Sequence, residues 1–248
     1  MKIGAIVQVR TSSTRLPQKV LKELPLGSGI TALQQIIRRL KKSQKIDEIV
    51  VATTEERSDE AIVKIAQKEG VKYFRGSLID VLERYYLAAK ENKLDIVVRI
   101  TGDCPCIDPE IVDLVIKKHL QDKGDFTSNV VKRSYPDGLD VEVFSFEVLE
   151  EIYKKATQPD EREHVTAYIY KHPRHLKVIN VEADQKLYAP ERRITLDTPQ
   201  DYALLCTIFD ALYPRDKYFS AYDIMKLFEE KPWLDWVNTQ YSESRNKS

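Results

Sequence analysis

The stretch Ile3–Leu21, IGAIVQVRTSSTRLPQKVL, joins two segments of opposite character. Residues 3–9 are apolar and rich in Val and Ile, and they have the length of a buried strand. Residues 10–19 are polar, basic and rich in hydroxyl groups. Because strands of an open α/β sheet deliver the residues that follow them to the edge where ligands bind, the stretch predicts a cradle for phosphate groups. The alternative interpretation is a basic surface turn after an ordinary first strand.

The loop after this strand differs from the two commonest phosphate-binding motifs. It contains neither GxxxxGK[ST] nor GxGxxG, so the P-loop and dinucleotide-binding folds lose their main support. An anion would instead be held by Arg and Lys side chains, and by backbone N–H groups that small side chains leave accessible.

Composition restricts the class of protein. The chain has 248 residues, of which 42% are hydrophobic and 31% charged, as expected of a globular protein with a sizeable core. Lys plus Arg equal Asp plus Glu at 39 each, so the basic excess of a nucleic-acid-binding protein is absent. Without a membrane-length apolar run or a signal-peptide pattern, we expect a cytoplasmic protein with no nucleic-acid or membrane partner. Cys104, Cys106 and Cys206 are too few for a disulfide scaffold and are predicted to pack in the interior.

Strand-like and helix-like runs alternate through the first half of the chain. Strands are predicted over 3–9, 46–54, 71–74 and 95–100, and helices over 30–42, 58–69, 79–90 and from Pro109. The second of these helices is predicted to be capped by Ser58 and Asp59. Such alternation predicts right-handed βαβ units and a parallel sheet. Polar residues follow each strand at the same edge, namely Arg10, Thr53, Arg75, Thr101 and Asp103.

The second half elaborates the same sheet. Strands are predicted over 125–131, 139–144, 176–181 and 193–196, and helices over 145–157, 161–170, 197–213 and 222–230. We therefore predict one domain over 1–237, with a nucleotide-binding half (1–124) and a half for sugar binding and oligomerisation (125–237). Residues 238–248 are predicted to be a polar, frayed tail.

Two aspartates follow predicted strands. Asp103 lies in TGDCP and Asp197 in ITLDTPQD, where Pro199 begins a helix. Taken singly, each is also compatible with a turn or helix-capping role. Together they would face the basic loop, and two carboxylates with phosphate groups suit Mg²⁺. A nucleoside triphosphate with its metal would require this combination.

Five segments resemble the spore-coat polysaccharide (SpsF-type) cytidylyltransferases, and more broadly the CMP-sugar synthetases that activate acidic sugars such as sialic acid and Kdo. In chain order they are IVQVRTSSTRLPQKVL (6–21), RITGDCPCIDPEIV (99–112), YPDGLDVEVFSFE (135–147), EREHVTAYIY (161–170) and TLDTPQD (195–201). The resemblance implies a Rossmann-like, three-layer nucleotidyltransferase fold of the GT-A type. It also implies a homodimer that uses CTP, Mg²⁺ and a sugar hydroxyl to form a CMP-sugar and pyrophosphate.

The resemblance also implies roles for individual residues. Arg15, Lys19 and Asp103 fall on catalytic positions, the first two holding the triphosphate and the departing pyrophosphate. Asp103 and Asp197 match two magnesium-binding aspartates. The nucleotide-binding set is Arg10, Ser12, Ser13, Thr14, Arg15, Lys19, Arg75 and Thr101, the last two facing the base. Asp140 and Glu142 fall on the sugar side, and Tyr135 is predicted either to contact the sugar or to pack under the loop. Ser12 and Gln18 stand where the family often has Gly, and Thr101 stands where it often has Gln.

Several residues have a plainer interpretation. His164 is predicted to be a structural histidine with a possible substrate contact, and Arg162 and Glu163 an ion pair or a solvated helix face. Trp233 and Trp236 are predicted to lie in the core or at a dimer contact. Two other functions are open at this stage. One is a metal-dependent glycosyltransferase that uses a nucleotide-sugar, and the other is a non-catalytic nucleotide-binding relative.

Overall fold

A computed structural model describes residues 1–172 and 176–239, and one seven-stranded sheet runs through this part. Its strands are β1 (Ile3–Gln8), β2 (Glu48–Thr54), β3 (Lys72–Gly76), β4 (Ile96–Thr101), β5 (Phe126–Ser128), β6 (Glu142–Ser145) and β7 (Val178–Asn180). They lie in the order β3-β2-β1-β4-β6-β5-β7. All neighbouring pairs are parallel except those of β6, which runs antiparallel to both β4 and β5. The predicted mostly parallel sheet is confirmed.

Helices cover both faces of the sheet, giving three layers. They are α1 (Ala32–Leu40), α2 (Glu60–Lys68), α3 (Val81–Glu91), α4 (Pro109–Asp122), α5 (Phe146–Lys155), α6 (Pro159–Glu163), α7 (Ala167–Lys171), α8 (Pro199–Leu212) and α9 (Ala221–Glu230). The apolar faces of α1, α2, α4, α8 and α9 pack in one core on one side of the sheet. Those of α3, α5 and α7 pack in a second core on the other side.

Strand β1 is central and is buried on both faces. Ala5 and Val7 point into the first core and Ile6 into the second, which explains the continuous apolar run rather than an alternating pattern. Gln8, the last residue of β1, pairs with Ala52 of β2 and Thr101 of β4. The residues that follow β1, β2 and β4 therefore meet at one edge.

Five elements of the second half differ from the prediction. The helix predicted over 161–170 is divided into α6 and α7, and the strands predicted over 125–131, 139–144 and 176–181 are replaced by the shorter β5, β6 and β7. Residues 193–196 form no strand. Arg193 makes a single bridge to Asp137, and its guanidinium bonds locally to Thr195 and Asp197. These side-chain bonds hold the segment in an irregular course.

The end of the described chain is packed against the domain. Asn238 is buried, and its amide donates to the carbonyl of Arg193 and to Asp201, so the prediction of fraying is wrong at this residue. Residues 240–248 lie outside the described residues. Trp233 and Trp236, in a 3-10 helix, are 51% and 79% exposed, so neither is a core residue. Their participation in a dimer contact stays a prediction.

The three cysteines are free thiols. Cys104 and Cys106 are buried and Cys206 is half-buried, which confirms their predicted packing role. Within residues 1–172 and 176–239, no helix has the length and apolar character needed to cross a bilayer.

Candidate active site

Asp59 anchors the basic loop to the sheet. Its buried carboxylate accepts hydrogen bonds from the backbone N–H (2.8 Å) and hydroxyl (2.6 Å) of Thr11, and from the hydroxyls of Thr53 and Thr54. Burial alone would raise the pKa of Asp59, but these hydrogen bonds outweigh it and lower the pKa. Asp59 therefore does not cap α2 with its side chain, contrary to the prediction. In the sequence, the anchoring role of Asp59 could have been predicted from Thr53 and Thr54, which end β2 shortly before it.

Two cations of the loop meet the two aspartates. The Lys19 ammonium lies 3.3 Å from Asp103 Oδ2 and 2.7 Å from Asp197 Oδ1. Arg15 Nη2 lies 3.1 Å from Asp197 Oδ2. Arg193, which sequence reasoning missed, pairs with the same carboxylate at 2.7 Å. The structure thus brings together the predicted catalytic and metal-binding residues.

Charge pairing outweighs burial at this cluster. Burial would lower the pKa of Lys19, but Asp103 and Asp197 raise it above its usual value. Burial would likewise raise the pKa of Asp103, but the Lys19 ammonium and the Thr101 hydroxyl lower it below its usual value. Lys19 is therefore an ammonium and Asp103 a carboxylate at neutral pH.

Backbone packing fixes the positions of both carboxylates. Gly102, just before Asp103, has no room for a side chain, because an added Cβ would lie 2.2 Å from Val9 Cγ1. The backbone N–H of Leu196 donates to the carbonyl of Asp103 at 2.8 Å, which joins the two aspartate segments. Thr198, not Asp197, is the N-cap of α8. Asp197 is thereby left to face the cations.

A cavity of about 490 Å³ lies over this edge of the sheet. One part is lined by predicted residues, namely Arg10, Ser12, Ser13, Thr14, Arg15, Lys19, Thr101, Asp103 and Asp197. The other part is lined by residues that were not predicted as nucleotide or catalytic groups, including Gln8, Val81, Arg84, Arg99, Glu163 and His164. His164 and Glu163 are exposed at the cavity. Arg162 forms an ion pair with Asp80 and not with its neighbour Glu163.

Four predicted site residues are not among those that line the cavity. Arg75 donates to the carbonyls of Thr54, Glu55 and Glu56 and pairs with Glu60. The Tyr135 side chain is buried, Asp140 forms a bidentate pair with Arg133, and Glu142 pairs with Arg99. The side chains of Arg75, Asp140 and Glu142 are thus committed to protein partners, and the substrate contacts of all four residues stay predictions.

The chemistry of the donor set fits a hard divalent cation. Asp103 and Asp197 supply carboxylate oxygens on either side of one ammonium group. No group of three or more His, Cys, Asp or Glu that could hold a metal occurs in the described part of the chain. Mg²⁺ accepts one or two carboxylates when substrate phosphates complete its coordination, so the pair fits Mg²⁺ together with a nucleotide.

The arrangement has counterparts among known proteins. The pattern of the cytidylyltransferase family matches residues 4–231. The chain belongs to the cytidylyltransferase family. An uncharacterised protein of Methanocaldococcus jannaschii is 43% identical to this cytidylyltransferase over 206 residues, which are 82% of each chain. Spore coat polysaccharide biosynthesis protein SpsF of Bacillus subtilis is 33% identical over 232 residues, covering 92% of this chain and 94% of SpsF.

The fold agrees with this family. The structure of a cytidylyltransferase from Leptospira borgpetersenii superposes with a TM-score of 0.88 at 36% identity, covering 95% of this chain and 97% of the other. The predicted family, the nucleotidyltransferase fold and the nucleotidyltransferase class of the enzyme are confirmed.

Proposed function

We propose that the enzyme transfers the CMP group of CTP to a sugar hydroxyl and releases pyrophosphate. The product would be a CMP-activated sugar, with an acidic sugar as the expected acceptor, for polysaccharide or surface-glycan synthesis. One observation carries the proposal: Arg15 and Lys19 of the loop after β1 meet Asp103 and Asp197 in a single cavity. Cations for a triphosphate and carboxylates for its metal lie together there. The match of SpsF over nearly the whole chain supports a role in polysaccharide synthesis.

The chain's own residues would act by positioning and by charge. The sugar hydroxyl attacks the α-phosphorus and pyrophosphate leaves on the opposite side, so no covalent enzyme intermediate is required. Arg15 and Lys19 would neutralise the charge that grows on pyrophosphate, as preorganised cations do in phosphoryl transfer. The backbone around Ser12 and Ser13, held in place through Thr11 and Asp59, would contact the phosphates.

Asp103 and Asp197 are the residues that would hold Mg²⁺. When bound, the ion would supply charge neutralisation at the phosphates and Lewis acidity toward the attacking hydroxyl. Lys19 satisfies both carboxylates in the structure, and triphosphate oxygens would offer its ammonium an alternative partner. Both carboxylates are thus paired with cations of the chain before substrate binds.

The glycosyltransferase alternative is less well supported. A nucleotide-sugar carries less charge than a triphosphate, and the loop places Arg10, Arg15 and Lys19 in one cavity. The non-catalytic alternative rests on Ser12, which replaces a common Gly. Ser12 is exposed at the cavity, where its side chain does not obstruct the loop.

Pyrophosphate release tests the proposal. The enzyme is incubated with Mg²⁺, one nucleotide (CTP, UTP, ATP or GTP) and one acidic or neutral sugar, and the pyrophosphate released from each pair is measured. We expect release with CTP and an acidic sugar, loss of most turnover in Asp103→Asn, and full activity in Asp122→Asn, whose carboxylate pairs with Lys118 at the surface. Release with another nucleotide would overturn the assignment to CTP. Nucleotide binding without release from any pair would support the non-catalytic alternative.

A further inference from the structure

The cavity has a second wall that the triphosphate site does not use. Ile6 and Val97 pack in the core beneath α3, and the two-residue period of a strand places Gln8 and Arg99 on the same face. Arg84 of α3, the helix that packs on this face, lines the same cavity as Gln8 and Arg99. Two guanidinium groups from α3 and β4 thus line the cavity that also holds Arg15 and Lys19 of the loop.

Arg84 is a buried cation that makes no close ion pair within the described residues. Its side chain lines the cavity although the residue is only 2% exposed. Nη1 donates to the carbonyl of Ser77 at 2.6 Å, but Nε finds no acceptor among the described residues, and none of their carboxylates lies within 4.0 Å. Burial lowers the pKa of Arg84 and the charge of Arg10 lowers it further, while Asp59 and Asp80 oppose the shift without outweighing it. Because a buried charge that lacks a close partner opposes folding, this wall favours an incoming anion.

Arg99 is held by Glu142, both of whose carboxylate oxygens accept hydrogen bonds. Its Nη1 donates to Glu142 Oε2 at 2.5 Å, and Glu142 also accepts from Tyr170 (2.7 Å) and from Thr166 (3.2 Å). Arg99 Nε, like that of Arg84, has no acceptor in the described part of the chain. Glu142 therefore fixes the guanidinium of Arg99 and acts on this wall as a positioning residue.

We infer that Arg84 and Arg99 form an oxyanion subsite that binds a carboxylate or phosphate group of the acceptor sugar. This inference rests on the proposed function, because it assumes that the triphosphate is bound by Arg15 and Lys19 in the same cavity. A guanidinium presents paired N–H donors that match the oxygens of a carboxylate or a phosphate. The acceptor's anion would thereby orient its hydroxyl toward the α-phosphorus, which separates acidic from neutral sugars.

Thermal unfolding with small probes tests the subsite. Pyruvate represents a carboxylate and methyl phosphate a phosphate monoester. Each is titrated with Mg²⁺, with and without a non-cleavable α,β-methylene analogue of CTP that fills the triphosphate site. The variants are Arg84→Met, which keeps the aliphatic stem, Arg84→Lys, and the control Arg215→Met, which removes an exposed cation that does not line the cavity. Arg99 is not varied, because its loss would leave Glu142 buried and unpaired.

We expect at least one probe to raise the melting temperature of wild type and of Arg215→Met by about 3–5 °C at ten times its dissociation constant. Arg84→Met should lose this shift, and Arg84→Lys should keep part of it because the charge remains. The probe that binds identifies the oxyanion as carboxylate or phosphate. Absence of any shift in wild type, or an equal shift in Arg84→Met, would overturn the inference. If Arg84→Met does not fold, an undiminished shift in Arg84→Lys overturns it, because the paired donors of the guanidinium are then unnecessary.

Failure of the proposed function has separate signatures. If the enzyme does not use CTP, the CTP analogue leaves the melting temperature of wild type and of every variant unchanged; if it binds CTP without catalysis, the analogue raises the melting temperature but no pyrophosphate is released. The probe titrations without the analogue would still decide whether Arg84 binds an oxyanion.

Discussion

Replacing Lys19 by Met should destabilise the unliganded enzyme by about 2 kcal/mol at neutral pH. The substitution keeps the side-chain stem but removes the ammonium between Asp103 and Asp197. Asp197 retains Arg15 and Arg193, whereas Asp103 loses its cation. A hydrogen bond to a charged group contributes about 1.5–3 kcal/mol, and because the Asp103 side chain is 26% exposed, we expect a value in the lower half.

The destabilisation should depend on pH in a defined direction. In the wild type the pKa of Asp103 lies below its usual value, so the stability linked to Asp103 is present above about pH 4 and is lost only in stronger acid. Without Lys19, we expect burial to outweigh the remaining hydrogen bond from Thr101 and to raise the pKa of Asp103 above its unfolded value. The charge of Asp103 then opposes folding at neutral pH, and this penalty is relieved as Asp103 takes up a proton. The difference in unfolding free energy between wild type and Lys19→Met should therefore become smaller as the pH falls from about 7 to about 4.

Urea unfolding, monitored by circular dichroism across this pH range, measures this difference in unfolding free energy. Lys118→Met is the matched control, because Lys118 pairs with Asp122 at 2.8 Å on an exposed helix face. Its cost should be about 0.5 kcal/mol or less. A Lys19→Met variant as stable as wild type, or a difference that stays constant with pH, would refute the assigned coupling between Lys19 and Asp103.

Three further substitutions test how the site is supported. Asp59→Asn should raise the KM for CTP about tenfold and lower stability by about 1–3 kcal/mol, because an amide cannot accept all the bonds from Thr11 and the β2 hydroxyls. Initial rates and urea unfolding measure the two effects, and an unchanged KM would contradict the anchoring role. Thr198→Ala should cost about 1 kcal/mol through loss of the α8 N-cap, measured by unfolding, and no loss would exclude the cap as a contributor. Gly102→Ala should cost about 1–3 kcal/mol and reduce turnover, because its Cβ would collide with Val9. Normal stability and activity would show that the strand end can relax.

The first half of the fold was predictable because the apolar residues of each element there form one clear pattern. The apolar run of β1 and the one-sided apolar face of α1 each have a single interpretation. Residues 193–196 also carry alternating apolar side chains, but Arg193 bonds to Thr195 and Asp197 within its own segment, and no strand forms. Local side-chain bonds of this kind are invisible to a periodicity argument.

The site was predictable where charge follows a strand and not where charge lies within an element. Lys19, Asp103 and Asp197 were found from their position after strands or from the family pattern. Arg84 and Arg99 lie inside α3 and β4, where a charged residue normally indicates a solvated face. Only the packing of α3 over β1 and β4 shows that both guanidinium groups line the cavity.

The contact between Lys19 and Asp197 joins residues 178 positions apart in the chain. During synthesis the loop and Asp103 leave the ribosome long before Asp197 is made, so a nascent chain can form β1 to β4 without a complete catalytic cluster. In that interval Asp103 can pair with Lys19, but Arg193 and the second carboxylate are missing. Closure of so long a loop is slow compared with local folding. Catalytic competence should therefore arise late in biosynthesis, after α8 docks, and partly made chains should not consume CTP.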